Sequence, residues 1–235
     1  MVTTPRQLAV LRHVGRYGVS LRAVIERQLF PDGESSESAL RSLVRDKLLV
    51  SVPNAVPEPV EPGTAYGYYH VTRKATAMIG APESKGRSPG SQALRKRLSI
   101  LWLCSMGPSR GHLLTDGELS QIFPLKTSEG ELEAISGNHG LFEGKFSLQV
   151  HNLYISQADN RETLNELRKR VAVARRSAEL AKAIHSKQYV FTILVETGTR
   201  QDELRALLSE HCKGEGFVFN VTVSPGSWRM PPKNK

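Results

Sequence analysis

Long apolar runs are missing from this chain. No stretch approaches the roughly 20 residues that a membrane-spanning helix needs, and Met1-Val2-Thr3-Thr4-Pro5 lacks the charged and apolar regions of a signal peptide. A cytoplasmic protein with no membrane partner is the expectation. Cysteine is nearly absent: Cys104 and Cys212 stand apart, which excludes a disulfide framework or a zinc ribbon and leaves two buried, reduced thiols. None of the seven histidines stands one residue from another, and no GxxxxGK[ST] or GxGxxG run offers a phosphate cradle. These absences leave no metal site, cofactor or small-molecule substrate to be expected.

Acidic residues are also in deficit, with 23 Asp and Glu against 32 Lys and Arg, a formal charge of +9. Such an excess favours polyanionic partners, because neutralising phosphates releases counterions. A hydrophobic share of 39% argues against wholesale disorder, and 235 residues suffice for two small cores. Turn formers crowd residues 80–91, so the chain divides into a first domain over 1–80, a linker over 81–92, a second domain over 93–228 and a tail over 229–235. The three main segments carry +3, +1 and +5, so the charge belongs to neither domain alone.

In the first domain Thr4 and Pro5 mark a helix start, Leu8, Leu11 and Val14 supply its apolar stripe, and Gly15 and Gly18 end it. A second helix is expected from Ser20 as N-cap, with Leu21, Val24, Ile25 and Leu29 on one face, up to Pro31-Asp32-Gly33. A third opens at Ser35 or Ser36 and directs Leu40, Leu43, Val44 and Leu48 inward, while Ser38, Arg41, Ser42 and Arg45 share the opposite face. Leu49–Val52 and Tyr66–Thr72 then read as two strands around a Pro-rich loop. Three helices and a hairpin make a winged helix-turn-helix, whose third helix enters the major groove of double-stranded DNA. Arg41 and Arg45 are one turn apart, suited to guanine O6 and N7, and Ser38 and Ser42 to phosphates or base edges. Lys47, Arg73 and Lys74 are expected on phosphates, and Tyr66 and Tyr68 of the hairpin complete the contact set.

Thr4-Pro5-Arg6-Gln7-Leu8, Arg41-Ser42-Leu43-Val44-Arg45-Asp46-Lys47-Leu48-Leu49 and Tyr69-His70-Val71-Thr72-Arg73-Lys74-Ala75 resemble the amino-terminal region of the replication-relaxation family of bacteria and their mobile elements. The resemblance runs over residues 4–80. It implies a winged-helix DNA-binding domain with an accessory role in plasmid replication or DNA relaxation; the missing His-x-His spacing argues against reading it as relaxase activity. The extended Pro-rich wing departs from the family pattern.

The second domain opens on a helix over 91–106 with Leu94, Leu98, Leu101 and Trp102 inside and Arg95, Lys96 and Arg97 outside. Thr115 caps a short helix, with Glu118 at capping-box spacing and Leu119, Ile122 and Phe123 apolar. A strand over 146–155, one long helix from Arg161 to Lys187, a strand over 189–195, a helix from Gln201 to His211 and a strand over 217–223 follow. The class is therefore α+β, a winged helix followed by a small α/β-type sheet-and-helix domain. Arg168, Arg175 and Arg176 line the long helix and offer a second DNA contact. A homodimer would present two half-site readers, although no exposed coiled-coil pattern accompanies it.

The rival reading is an Mg-dependent nuclease, or an inactive restriction-nuclease-like remnant, fused to the winged helix. Glu143-Gly144-Lys145 has the spacing of such a metal site, but the same spacing recurs at Glu83-Ser84-Lys85 in the linker. Convergence of Glu118, Glu143, Lys145 and Asp159 is what that reading requires. The favoured expectation is a DNA-binding protein that is not an enzyme, serving replication, relaxation or transcription regulation.

Overall fold

The structure is a computed structural model that describes residues 3–30, 35–57, 65–107, 111–123, 137–144, 147–156 and 159–224; side chains are described for these except 54–57, 65 and 66. It is a mixed α+β protein with two sheets and two compact units, one through Met106 and one over Gly107–Ser224. No described helix is long and apolar enough to cross a membrane.

The first unit begins with α1, Pro5–Tyr17. Thr4 accepts from the Gln7 amide at 3.2 Å while the Gln7 side chain accepts from the Thr4 amide at 2.9 Å, a reciprocal capping box. Gly18 ends the helix at φ 77°, a conformation cheap only for glycine. Gly15 is not a terminus as expected. It lies inside the helix, where Ile79 of a later helix fills the space that a Cβ would need.

Ser20 is not the N-cap of the second helix either. Ser20–Leu21 form a two-residue strand, β1, paired with Tyr68 and Tyr69, and α2 runs Arg22–Leu29 without a side-chain cap. The turn expected at Pro31-Asp32-Gly33 lies outside the described residues. Next come α3, Glu37–Arg45, and the strands β2, Leu49–Pro57, and β3, Ala65–Val71, in an antiparallel sheet ordered β1-β3-β2. β2 reaches past the Pro-rich boundary through an irregularity between Val52 and Val56. Pro53 is tolerated because β2 is an edge strand, where a missing N–H breaks no ladder. Val10, Leu11, Val14, Ile25, Leu40, Leu43, Leu48, Leu49 and Val71 form the core, with Leu8 and Val44 only partly buried.

Two further helices, α4 over Arg73–Ile79 and α5 over Ser91–Ser105, complete this unit, joined by a 3-10 turn at Glu83–Gly86. Leu94, Leu98 and Leu101 of α5 are buried as the periodicity requires, and Trp102 is half-buried. Arg97 is not an outward cation. Its guanidinium donates to the carbonyls of Gly18 at 3.3 Å and Ser84 at 3.4 Å, and burial lowers its pKa.

The second unit holds a five-stranded sheet ordered β4-β5-β6-β7-β8: Gly111–Leu114, Asn138–Glu143, Leu148–Ile155, Tyr189–Val195 and Val218–Val223. The first three strands form an antiparallel meander, and the last two pair in parallel. Between β4 and β5 comes α6, Asp116–Ile122, whose Thr115–Glu118 capping box forms as expected. Leu119 and Phe123 are buried, whereas Ile122 is exposed.

The long helix expected over 161–187 is two helices, α7 at Asn160–Ala174 and α8 at Ala178–His185. Ser177 interrupts it by turning its hydroxyl back to the Leu180 amide, the competition with helical bonding at which serine excels. The apolar stripe is rephased: Leu164, Leu167, Val171 and Ala174 are buried, then Leu180, Ala183 and Ile184, while Ala178 is exposed. With α9, Gly198–His211, these helices cover one sheet face through Tyr189, Phe191, Ile193, Val195 and Val221. Both cysteines are buried and free.

Candidate nucleic-acid interface

α3 divides cleanly by side. Leu40 and Leu43 are buried, while Arg41 and Arg45 expose 78% and 77% of their side chains. Ser38 is exposed and Ser42 half-buried on the same outward face. With Thr4, Arg6, Gln7 and Phe30 these residues line a groove of about 820 Å³ between the start of α1 and α3. Arg6 donates to the Leu29 carbonyl at 2.8 Å and lies 5.0 Å from the Phe30 ring centre, so its guanidinium is held in place. Neither Arg6 nor Phe30 was expected at this face, because only the fold brings the start of α1 beside α3.

Carboxylates accompany the cations. Arg41 pairs with Glu37 one turn earlier, and Arg45 stands 3.5 Å from Asp46. The exposed Arg41–Glu37 pair is worth about 0–1 kcal/mol and gives way readily to a phosphate or base edge. Behind Glu37, Arg22 binds Glu26 at 2.8 Å, and Glu26 accepts from Ser36 at 2.9 Å. The hydrogen bond from Arg22 holds the Glu26 carboxyl below its ordinary range.

A second cationic corner forms where α3 ends. The Leu48 amide donates to Leu43 O at 2.9 Å and the Lys47 amide to Val44 O at 3.0 Å, the paired bonds of a Schellman motif. Lys47 occupies the left-handed position, φ 56°, that glycine usually fills. Thr72 both N-caps α4 and donates its hydroxyl to Lys47 O at 2.9 Å, which brings exposed Arg73 and Lys74 to the same corner. Arg73 also meets Glu83 at 3.3 Å.

Two hairpin residues of the expected contact set are placed differently. Tyr68 is only 4% exposed, which withdraws it from any surface that a duplex touches. The Tyr66 side chain lies outside the described residues, and its backbone pairs with Val56.

In the second unit, Arg168 donates to Glu215 at 2.8 Å and to His211 O at 2.7 Å, and Arg175 donates to Glu215 O. Both arginines therefore staple α7 to the turn after α9. Arg176 is exposed in the α7–α8 break, so the three do not form one straight row.

Two carboxylates of the nuclease alternative serve local structure. Glu118 closes the α6 capping box, and Asp159 N-caps α7 by accepting from the Glu162 amide at 2.8 Å. Glu143 pairs with Leu148 at one end of β6, whereas Asp159 follows the other end at Ile155, and the strand between them spans about 23 Å at 3.3 Å per residue. Lys145 lies outside the described residues. Among the described residues no three His, Cys, Asp or Glu gather as metal ligands.

His139 and His151 sit on neighbouring strands but do not share a site. His139 pairs with Asn152 across β5 and β6, and its ring binds the Tyr189 hydroxyl at 2.8 Å; His151 binds Thr192 at 2.8 Å. Burial lowers the pKa of each histidine to about 4, so both are neutral hydrogen-bonding groups at pH 7. Comparison with protein-family models, curated proteins and solved structures yields no match for this chain.

Proposed function

We propose that the first unit is a winged helix-turn-helix that binds double-stranded DNA, with α3 in the major groove and the β2–β3 hairpin along the backbone. One observation carries the reading: Arg41 and Arg45 stand one turn apart, more than three-quarters exposed, on the side of α3 that the core does not use. The order helix, strand, helix, helix, strand, strand, with β1 joining the hairpin, supports the same conclusion. Lys47, Arg73 and Lys74 serve as phosphate contacts at the α3–α4 corner, which set register without reading sequence.

The chain acts without catalysis, as an accessory to plasmid or mobile-element replication or relaxation, or as a transcription regulator. The likeness to the replication-relaxation family favours the first. The second unit assists through assembly, since Arg168 and Arg175 are spent on Glu215 and its turn. Titrating full-length protein onto duplex DNA from 50 to 200 mM salt tests the proposal. The affinity is expected to fall steeply on a log–log plot and to drop further in Arg41→Ala and Arg45→Ala. Salt-independent binding, or none, refutes it.

A further inference from the structure

We propose that Glu37 is a specificity-determining residue of α3, reading a cytosine one or two positions from the base taken by Arg41; this rests on the duplex-reading role above. Glu37 opens α3, is half-exposed, and lines the groove with Ser38, Arg41, Ser42 and Arg45. A carboxylate amid these cations weakens their attraction for phosphate, so beyond steadying the start of α3 it does not serve a grip on the backbone.

The carboxylate is also held in place. Arg41 binds one oxygen, and Arg22 lies 3.8 Å from the other. Arg22 is fixed in turn by Glu26, which Ser36 anchors from the start of α3. In the major groove, cytosine presents its N4 amino group as a donor, which a carboxylate accepts, while guanine presents O6 and N7 to a guanidinium. Four residues, about 6 Å of helix rise, separate Glu37 from Arg41, between one and two base-pair steps of about 3.4 Å. The pair therefore reads a cytosine and a guanine one or two positions apart. The Glu37–Arg41 pair is exposed and costs little to rearrange onto bases.

Selection of bound duplexes from a random pool by the full chain tests this, with thermal unfolding used to verify that each variant is folded. The wild type is expected to enrich a motif with a fixed cytosine. Glu37→Gln is expected to turn that cytosine into adenine, because a carboxamide pairs with adenine N6 and N7. Glu37→Ala is expected to leave the position open, with about tenfold lower discrimination and tighter binding to unrelated duplex. If both variants keep the same cytosine, or if the wild type binds duplex salt-dependently yet enriches no motif, the assignment of Glu37 is overturned while DNA binding stands. Failure of the wild type to retain any duplex at 50 mM salt overturns both.

Discussion

Replacing Lys47 with glycine separates the energetics of the fold from those of the interface. Lys47 holds the left-handed position of the Schellman motif that ends α3. That conformation costs a residue with a Cβ about 1–2 kcal/mol. Glycine relieves the cost but gives the unfolded chain back about 0.5–1 kcal/mol of entropy. Lys47→Gly is thus expected to stabilise the first unit by about 0–1.5 kcal/mol, or up to about 12 °C for a unit of this size. The same change removes one of the proposed phosphate contacts, so the log–log salt slope is expected to shrink by about 0.9.

Lys187 is the natural control. It occupies the equivalent position after α8 at φ 62°, with Lys187 donating to Ile184 O and Gln188 to Ala183 O. Lys187→Gly is expected to stabilise by a similar amount and to leave DNA affinity unchanged. Urea unfolding and duplex titration on both variants provide the readouts. A Lys47→Gly protein that is less stable than wild type, or one whose salt slope is unaltered, refutes the reasoning.

Other outcomes follow from packing and burial. Leu43→Ala opens a cavity in the first core and is expected to cost about 2–5 kcal/mol, read from the urea midpoint. Gly86→Ala would set a Cβ 2.8 Å from the Arg73 backbone and is expected to cost about 1–3 kcal/mol by the same measurement. His139 is neutral in the folded chain down to about pH 4, whereas an unfolded histidine takes its proton near pH 6.5. Between these values the unfolded state binds more protons, so stability is expected to fall as pH drops from 6.5 towards 4, and His139→Gln is expected to flatten that slope. Burial pushes the Cys104 thiol up to about 12, and Cys212 is raised as well. Neither is expected to react with a thiol reagent at pH 8 until denaturant is added.

Features governed by neighbours in sequence were legible there. The Thr4-Pro5 start, the Thr115–Glu118 box and the two faces of α3 each depend on spacing within one or two turns. β1 was not legible, because two residues become a strand only when Tyr68 and Tyr69 pair with them. The same is true of β4 and β5, whose short Gly-containing runs lack strand character until the meander assembles. The α7–α8 break was hidden because alanines on both sides of Ser177 continue the helical pattern. Glu37 carries no site signal in the sequence, because a lone carboxylate opening a helix reads as dipole compensation. Its place in the groove depends on α1, some thirty residues upstream.

Thr72 has a mechanical consequence. Its hydroxyl holds the carbonyl of Lys47, its amide holds that of Leu48 at 3.1 Å, and its side chain also starts α4. The end of α3 is thereby clamped to the start of the neighbouring helix. A displacement of α4 is thus passed to the end of α3 through one hydroxyl group, and Thr72→Val is the change that uncouples the two helices.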